Sequence, residues 1–175
     1  LHLCDRRQRQ MCIRDRCIRF DENDARATGR VSMGVKGMNL ADGDSVIGMQ
    51  VAEENGELLF VSEMGMGKKT AMSEFKDQNR GGKGIRCYRV NAKTGNLAGV
   101  KVYKEGYELM LITTEGTVIR MKTDTIPVLG RDTSGVKLMQ VDQENVKVSS
   151  IELIEESKEE EFAETSEETV GSKEV

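Results

Sequence analysis

Arg80-Gly81-Gly82-Lys83-Gly84-Ile85-Arg86 is the second of three copies of one pattern, Arg-x-x-x-Gly-(Val/Ile)-(Lys/Arg). The first copy runs from Arg30 to Gly34-Val35-Lys36 and the third from Arg131 to Gly135-Val136-Lys137, at steps of 50 and 51 residues. A second series keeps the same step. Glu57-Leu58-Leu59-Phe60-Val61-Ser62 returns as Glu108-Leu109-Met110-Leu111-Ile112-Thr113, Gly65 returns as Gly116, and the bases Arg19, Lys69 and Arg120 fall in phase. Agreement at this many offsets identifies an internal repeat, and a period near fifty residues belongs to architectures that stack one small unit on the next.

Each unit reads as strands. Leu58–Ser62 and Leu109–Thr113 are short apolar runs bounded by turn residues, as buried strands are. Met64-Gly65-Met66-Gly67 and Thr114-Glu115-Gly116 follow as hairpin turns, because glycine accepts the positive φ that such turns require. Return strands are expected at Lys68–Met72 and Thr117–Met121, then strands at Ile85–Val90 and Val136–Val141, and last strands at Leu97–Val102 and Val146–Leu153. No helical periodicity occurs in 17–154. Four antiparallel strands per fifty residues is the arithmetic of a propeller-like blade, which buries its faces only against neighbours. The expectation is an all-β, partial propeller with half a blade at 17–51 and whole blades at 52–102 and 103–154.

The composition fits one domain with tails. Apolar residues make up 37% and charged residues 32%, so the core must come from short elements. No apolar run is long enough to span a bilayer, no secretory pattern is present, and the cytoplasm is the expected compartment. The four cysteines include three crowded at Cys4, Cys12 and Cys17, and His2 is the one histidine. No zinc-ligand spacing results, and reduced thiols are expected. The net charge of −4 is unevenly placed. Residues 155–175 carry nine Glu against two Lys, residues 1–16 five Arg against two Asp, and the body between is neutral. The acidic tail reads as disordered. Two roles stand open for it: a solubilising terminus, or a competitor with an anionic partner for the basic loops.

Across 17–154 the residues resemble the late blades of the C-terminal domain of the DNA gyrase A protein. Ile18-Arg19-Phe20-Asp21-Glu22-Asn23-Asp24 resembles that family's blade-opening segment, and Gly34-Val35-Lys36-Gly37-Met38-Asn39-Leu40 its glycine loop. Gly65-Met66-Gly67-Lys68-Lys69-Thr70 is similar to its hairpin and Gly130-Arg131-Asp132-Thr133-Ser134-Gly135-Val136 to its final blade. Gln78-Asn79-Arg80-Gly81-Gly82-Lys83-Gly84 matches six of the seven positions of the family's Gln-Arg-Arg-Gly-Gly-Lys-Gly box, though in a later blade than the first. The resemblance implies a β-pinwheel that binds and wraps duplex DNA. It further implies the rest of gyrase A and gyrase B as partners in an A2B2 assembly, with ATP and magnesium acting elsewhere in that enzyme and no cofactor in this chain. The topoisomerase IV paralogue and a kelch-like protein-binding propeller are the alternatives. Ahead of Arg19 the blade template wants an apolar strand and a glycine turn, and residues 6–16 offer neither. Two readings follow for 1–16, a scar outside the fold, which is the one adopted, or a natural basic arm.

DNA contact is expected at Arg30, Lys36, Lys68, Lys69, Arg80, Lys83, Arg86, Arg120, Arg131 and Lys137, because Lys and Arg neutralise phosphate and release counterions. Gly34, Gly37, Gly81, Gly82, Gly84, Gly130 and Gly135 are expected to make the turns and to offer backbone N–H groups to anions. None of the glycine segments is a P-loop, since no Gly-Lys pair is followed by Ser or Thr at the right spacing. Tyr88, Tyr103 and Tyr107 are expected as packing residues rather than nucleophiles, and no catalytic or metal-binding constellation is read.

Overall fold

The computed structural model describes residues 8–52, 55–141 and 146–155. The expected acidic tail beyond Glu155 lies outside the described residues. Among those described, the regular structure is eleven strands and three single-turn 3-10 segments. The strands are β1 (Gln8–Ile13), β2 (Arg16–Asp21), β3 (Val46–Ala52), β4 (Glu57–Ser62), β5 (Met66–Ala71), β6 (Ile85–Arg86), β7 (Leu97–Val102), β8 (Tyr107–Thr113), β9 (Val118–Lys122), β10 (Val136–Lys137) and β11 (Val148–Glu155). They form three antiparallel sheets, ordered β3-β1-β2-β6, β10-β5-β4-β7 and β11-β8-β9. The 3-10 turns, Glu22–Asp24, Met72–Glu74 and Thr123–Thr125, keep the repeat period and each follows a return strand.

The expectation of contiguous four-stranded blades at 52–102 and 103–154 needs one correction. The short strand after the second and the third Arg-x-x-x-Gly loop leaves its own unit and joins the sheet before it. Ile85 pairs with Cys17 and Arg86 with Arg16, while Val136 pairs with Gly67 and Lys137 with Met66. Strand exchange of this kind links neighbouring sheets through their backbones. It requires close approach: a Cβ on Gly84, which sits at φ +68°, would lie 2.6 Å from the Cys17 carbonyl oxygen. Sequence periodicity could not reveal the exchange, because a strand's apolar pattern does not specify which sheet receives it.

A second correction concerns the first blade, expected as half a blade at 17–51 with 1–16 outside the fold. Gln8–Ile13 forms β1, paired with β2 on one side and β3 on the other. Its register sets Gln10 against Arg19, the position at which β4 has Leu59 and β8 has Met110. Gln10 is fully buried and neither atom of its amide has a hydrogen-bond partner. A buried unpaired amide costs about 1–3 kcal/mol, so Gln10→Leu should raise the unfolding free energy by roughly that amount. An unchanged urea midpoint would show that the amide is satisfied in solution. Cys12 and Cys17, expected as thiols, face one another across β1 and β2 and are joined as a disulfide. Cys87 is a free, buried thiol.

Apolar clusters lie between successive sheets. Cys12 and Cys17 of the first sheet meet Leu58, Phe60, Val100 and Val102 of the second, together with Phe75 and Tyr88. Leu59 and Val61 on the opposite face of the second sheet meet Leu109, Leu111, Val148 and Ile151 of the third. Alternation along β4 therefore serves both cores. Small residues let the inner strands close up: a Cβ on Gly48 would reach within 2.9 Å of Val100, and one on Gly99 within 2.5 Å of Ile151.

Candidate nucleic-acid interface

The three Arg-x-x-x-Gly loops adjoin one another in order. Gly81 donates its N–H to the Gly37 carbonyl at 2.8 Å, and Asn39 donates to the Gly82 carbonyl at 2.8 Å. One step on, Arg89 donates to the Thr133 carbonyl at 3.1 Å. The motif arginines tie these contacts from loop to loop. Arg80 donates to the carbonyls of Asp24, at 2.9 Å, and Lys36. Arg131 donates to the Arg86 carbonyl at 2.6 Å, and Arg86 is one repeat on from Lys36. Arg80 and Arg131 thus hold equivalent sites, as the repeat requires, and both are half-buried.

The bases expected to meet DNA divide by exposure. Arg30, Lys36, Lys83, Arg86, Arg120 and Lys137 are exposed. Lys36 donates to Asn39 at 3.2 Å, and Arg120 pairs with Glu108. Arg86 lies 4.0 Å from both Asp15 and Asp132, and Arg89 lies 3.4 Å from Asp132. The exposed guanidinium of Arg89 joins this surface although it stands outside the repeat motif.

Lys68 and Lys69 are corrections, because both are buried. The Lys68 ammonium donates to the Gly130 carbonyl at 2.9 Å, the Arg131 carbonyl at 2.6 Å and the Thr133 hydroxyl at 3.2 Å. It lies over the rings of Tyr88 and Phe60, 5.2 and 5.8 Å from their centroids. Lys69 pairs with Glu57 at 3.5 Å and lies 4.0 Å over the ring of Tyr103. A pair of basic residues in a strand that leaves a glycine turn looks exposed in sequence; the incoming loop of the next unit covers it. The anion-nest expectation also changes at Gly81, whose N–H is already engaged by Gly37.

Burial lowers the Lys68 pKa from 10.5 to about 8, against the opposing pull of Cys87, and burial raises Cys87 from 9.0 to about 12. Between pH 8 and 10.5 the unfolded chain holds a proton that folded Lys68 has released, so this group raises stability as pH rises. Above pH 9 folded Cys87 keeps a proton that the unfolded thiol loses, so it lowers stability as pH rises. Cys87→Ala should therefore show a steeper rise of unfolding free energy with pH between 9 and 10.5 than the parent, measured by urea melts. Parallel profiles would show that the thiol does not titrate in this way.

Tyr88 is buried and its hydroxyl donates to the Ser134 carbonyl, while Tyr103 and Tyr107 donate to Asp124 at 2.6 Å and Glu155 at 2.8 Å. Among the described residues no group of three or more His, Cys, Asp or Glu could hold a metal ion, and no helix is long and apolar enough to cross a membrane.

The family model described as DNA gyrase C-terminal domain, beta-propeller, matches the chain three times, over residues 15–53, 56–104 and 107–155. The chain belongs to that family. The three matches follow the repeat, and membership answers the kelch-like alternative. Among curated relatives, the DNA gyrase A protein of Ureaplasma parvum is 44% identical over 135 residues, covering 77% of this chain and 16% of that protein. The DNA gyrase A protein of Pseudomonas aeruginosa is 38% identical over 131 residues, covering 75% of this chain and 14% of that protein. The chain therefore spans about a sixth of the length of these gyrase A proteins. A solved gyrase A C-terminal domain superposes with TM-score 0.78 at 26% identity, covering 86% of this chain and 51% of that one. A topoisomerase IV C-terminal domain gives 0.80 at 24% identity, covering 94% and 52%, and shares the fold.

Proposed function

We propose that this gyrase-family chain binds duplex DNA without sequence preference and wraps it, along the edge where the three Arg-x-x-x-Gly loops adjoin. The observation that carries this reading is the ordered contact of those loops, with Lys36, Lys83, Arg86, Arg89 and Lys137 exposed on them. Bases presented loop after loop suit a phosphate backbone, whose contacts position a protein without specifying sequence. Arg30, Lys83 and Lys137 have neither an ion pair nor a side-chain hydrogen bond among the described residues and are free to neutralise phosphate.

In this reading the chain is an accessory part of a bacterial, cytoplasmic type II topoisomerase. It supports ATP-dependent negative supercoiling together with the rest of gyrase A and gyrase B in an A2B2 assembly. ATP and magnesium act elsewhere in that enzyme, and the chain itself wraps DNA with no cofactor.

The test is a salt titration of binding to duplexes of unrelated sequence. With ~3–5 phosphates engaged, the log–log slope should be roughly −3 to −5 and the same for each duplex. Lys83→Glu should make the slope shallower by about 1 or more. Affinity that ignores salt, or that one duplex monopolises, would sink the proposal.

A further inference from the structure

We infer that Arg86 and Arg89 form a two-guanidinium site for one phosphate of the DNA backbone, and that the Asp132 carboxylate fills this site until DNA displaces it. The inference rests on the DNA-binding reading above and gives it a named site with a built-in competitor. Arg86 ends β6, and Cys87 and Tyr88, which follow it, are both buried. The arginines on either side of that buried pair keep their side chains 53% and 61% exposed. Asp132 bridges them: Oδ1 lies 4.0 Å from Arg86 Nη1, and Oδ2 lies 3.4 Å from Arg89 Nη2. Asp15 also lies 4.0 Å from Arg86, at Nε. Two oxygens of one anion shared between two guanidiniums is an arrangement that a phosphate can copy, since carboxylate and phosphate both suit the planar Arg fork.

The seam between the second and third units places Asp132 there. Arg89 donates its N–H to the Thr133 carbonyl at 3.1 Å, and its own carbonyl accepts from the Ser134 hydroxyl at 3.1 Å. On the other flank the Arg131 N–H donates to Glu74 at 2.7 Å, and the Arg131 guanidinium donates to the Arg86 carbonyl at 2.6 Å. Asp132 stands between these anchors with its side chain exposed. That side chain can rotate away while the loop keeps its backbone contacts and the backbones of both arginines stay in place.

The preceding seam has the same plan without the acid. One repeat back, Arg86, Arg89 and Asp132 correspond to Lys36, Asn39 and Gly81. Lys36 donates to Asn39 at 3.2 Å, and a Cβ on Gly81 would lie 3.7 Å from the Lys36 carbonyl, so a side chain at this position stands beside the loop base. Glycine leaves that base open, whereas aspartate covers the arginine pair. A duplex following the loop edge would meet Lys36 directly and would reach Arg86 and Arg89 only by expelling Asp132. The second seam therefore carries one more guanidinium than the first, and a carboxylate that holds it in check.

Exchange costs little because both pairs are solvated. An ion pair between exposed side chains is weak and is screened further by salt. A backbone phosphate brings a full negative charge, and its neutralisation releases counterions condensed on the DNA, a gain that the internal carboxylate lacks. DNA wins the site, at an affinity lowered by the carboxylate it must expel. Without that carboxylate the two guanidiniums would face one another unneutralised, and an arriving phosphate would meet no rival.

Fluorescence anisotropy of the 175-residue chain on a mixed-sequence duplex at low salt tests this, with circular dichroism to verify folding. Asp132→Asn should tighten binding roughly three- to tenfold, the scale of two exposed ion pairs. Asp132→Ala removes the same carboxylate by a second route and should agree, while Asp132→Glu keeps it and should stay close to the parent. Glu105→Gln removes one negative charge from the turn between β7 and β8 instead, and should change affinity less. In an Arg86→Gln/Arg89→Gln background the gain from Asp132→Asn should largely vanish, because groups that share one site are not additive. A parent that binds DNA with the expected salt slope, beside an Asp132→Asn variant of equal or weaker affinity, overturns this inference alone. A gain that persists without the two arginines, or that Glu105→Gln reproduces, assigns the effect to overall charge and overturns it as well. A parent that binds no duplex overturns the DNA-binding reading and the inference together.

Discussion

Lys68→Ala is expected to lower the unfolding free energy by about 2–4 kcal/mol, read from urea melts, because two carbonyls and a hydroxyl lose a charged donor. The ammonium is the point at which the second sheet grips the loop of the third unit, through Gly130, Arg131 and Thr133. Those acceptors were brought there by strand exchange, so the penalty falls on the seam rather than on β5 itself. Lys68→Met separates the two contributions: the thioether stem should restore packing against Phe60 and Tyr88 without restoring the hydrogen bonds. A loss smaller than about 0.5 kcal/mol for the alanine variant would show that solvent replaces the ammonium. In the folded variant the salt slope of DNA binding should equal the parent's, since the group is buried and does not reach the loop surface.

This contrast marks where sequence reading succeeded and where it stopped. The repeat and the positions of β4, β7 and β8 were legible because an apolar run bounded by turn residues has one common physical explanation. Leu97–Val102 was read at the bounds that the structure gives. Placement of Arg80 and Arg131 at equivalent sites followed from periodicity alone. Exchange of β6 and β10 was not legible, since two residues carry no information about which edge they will join. Burial of Lys68 and Lys69 followed from that exchange and was hidden with it. The strand at Gln8–Ile13 was hidden for another reason. Gln8-Arg9-Gln10 lacks the apolar alternation of Glu57-Leu58-Leu59, and only pairing with β2 and β3 makes it a strand.

The exchange should also be the most fragile joint, and Gly135→Val is expected to cost about 3–5 kcal/mol, at the upper end of single substitutions. Two effects act at once. Gly135 sits at φ +76°, where a β-branched side chain is a steric outlier. The added Cβ would also collide with the Gly67 carbonyl, which is backbone within β5 and has no freedom to move aside. Relief requires β10 to leave β5, and that uncovers Lys68 and withdraws Tyr88's acceptor on Ser134. The damage should therefore spread along one seam. Amide hydrogen exchange should accelerate at Lys69 and Leu129, whose N–H groups bond across it, while Leu59 and Leu111 keep more of their protection. Gly116→Val is the control. Gly116 has φ +84° but a Cβ there meets nothing within 4 Å, so it carries the backbone strain without the collision. Equal losses from the two variants would assign the whole effect to φ, and would remove the close approach of Gly135 to Gly67 as the reason the third loop carries glycine.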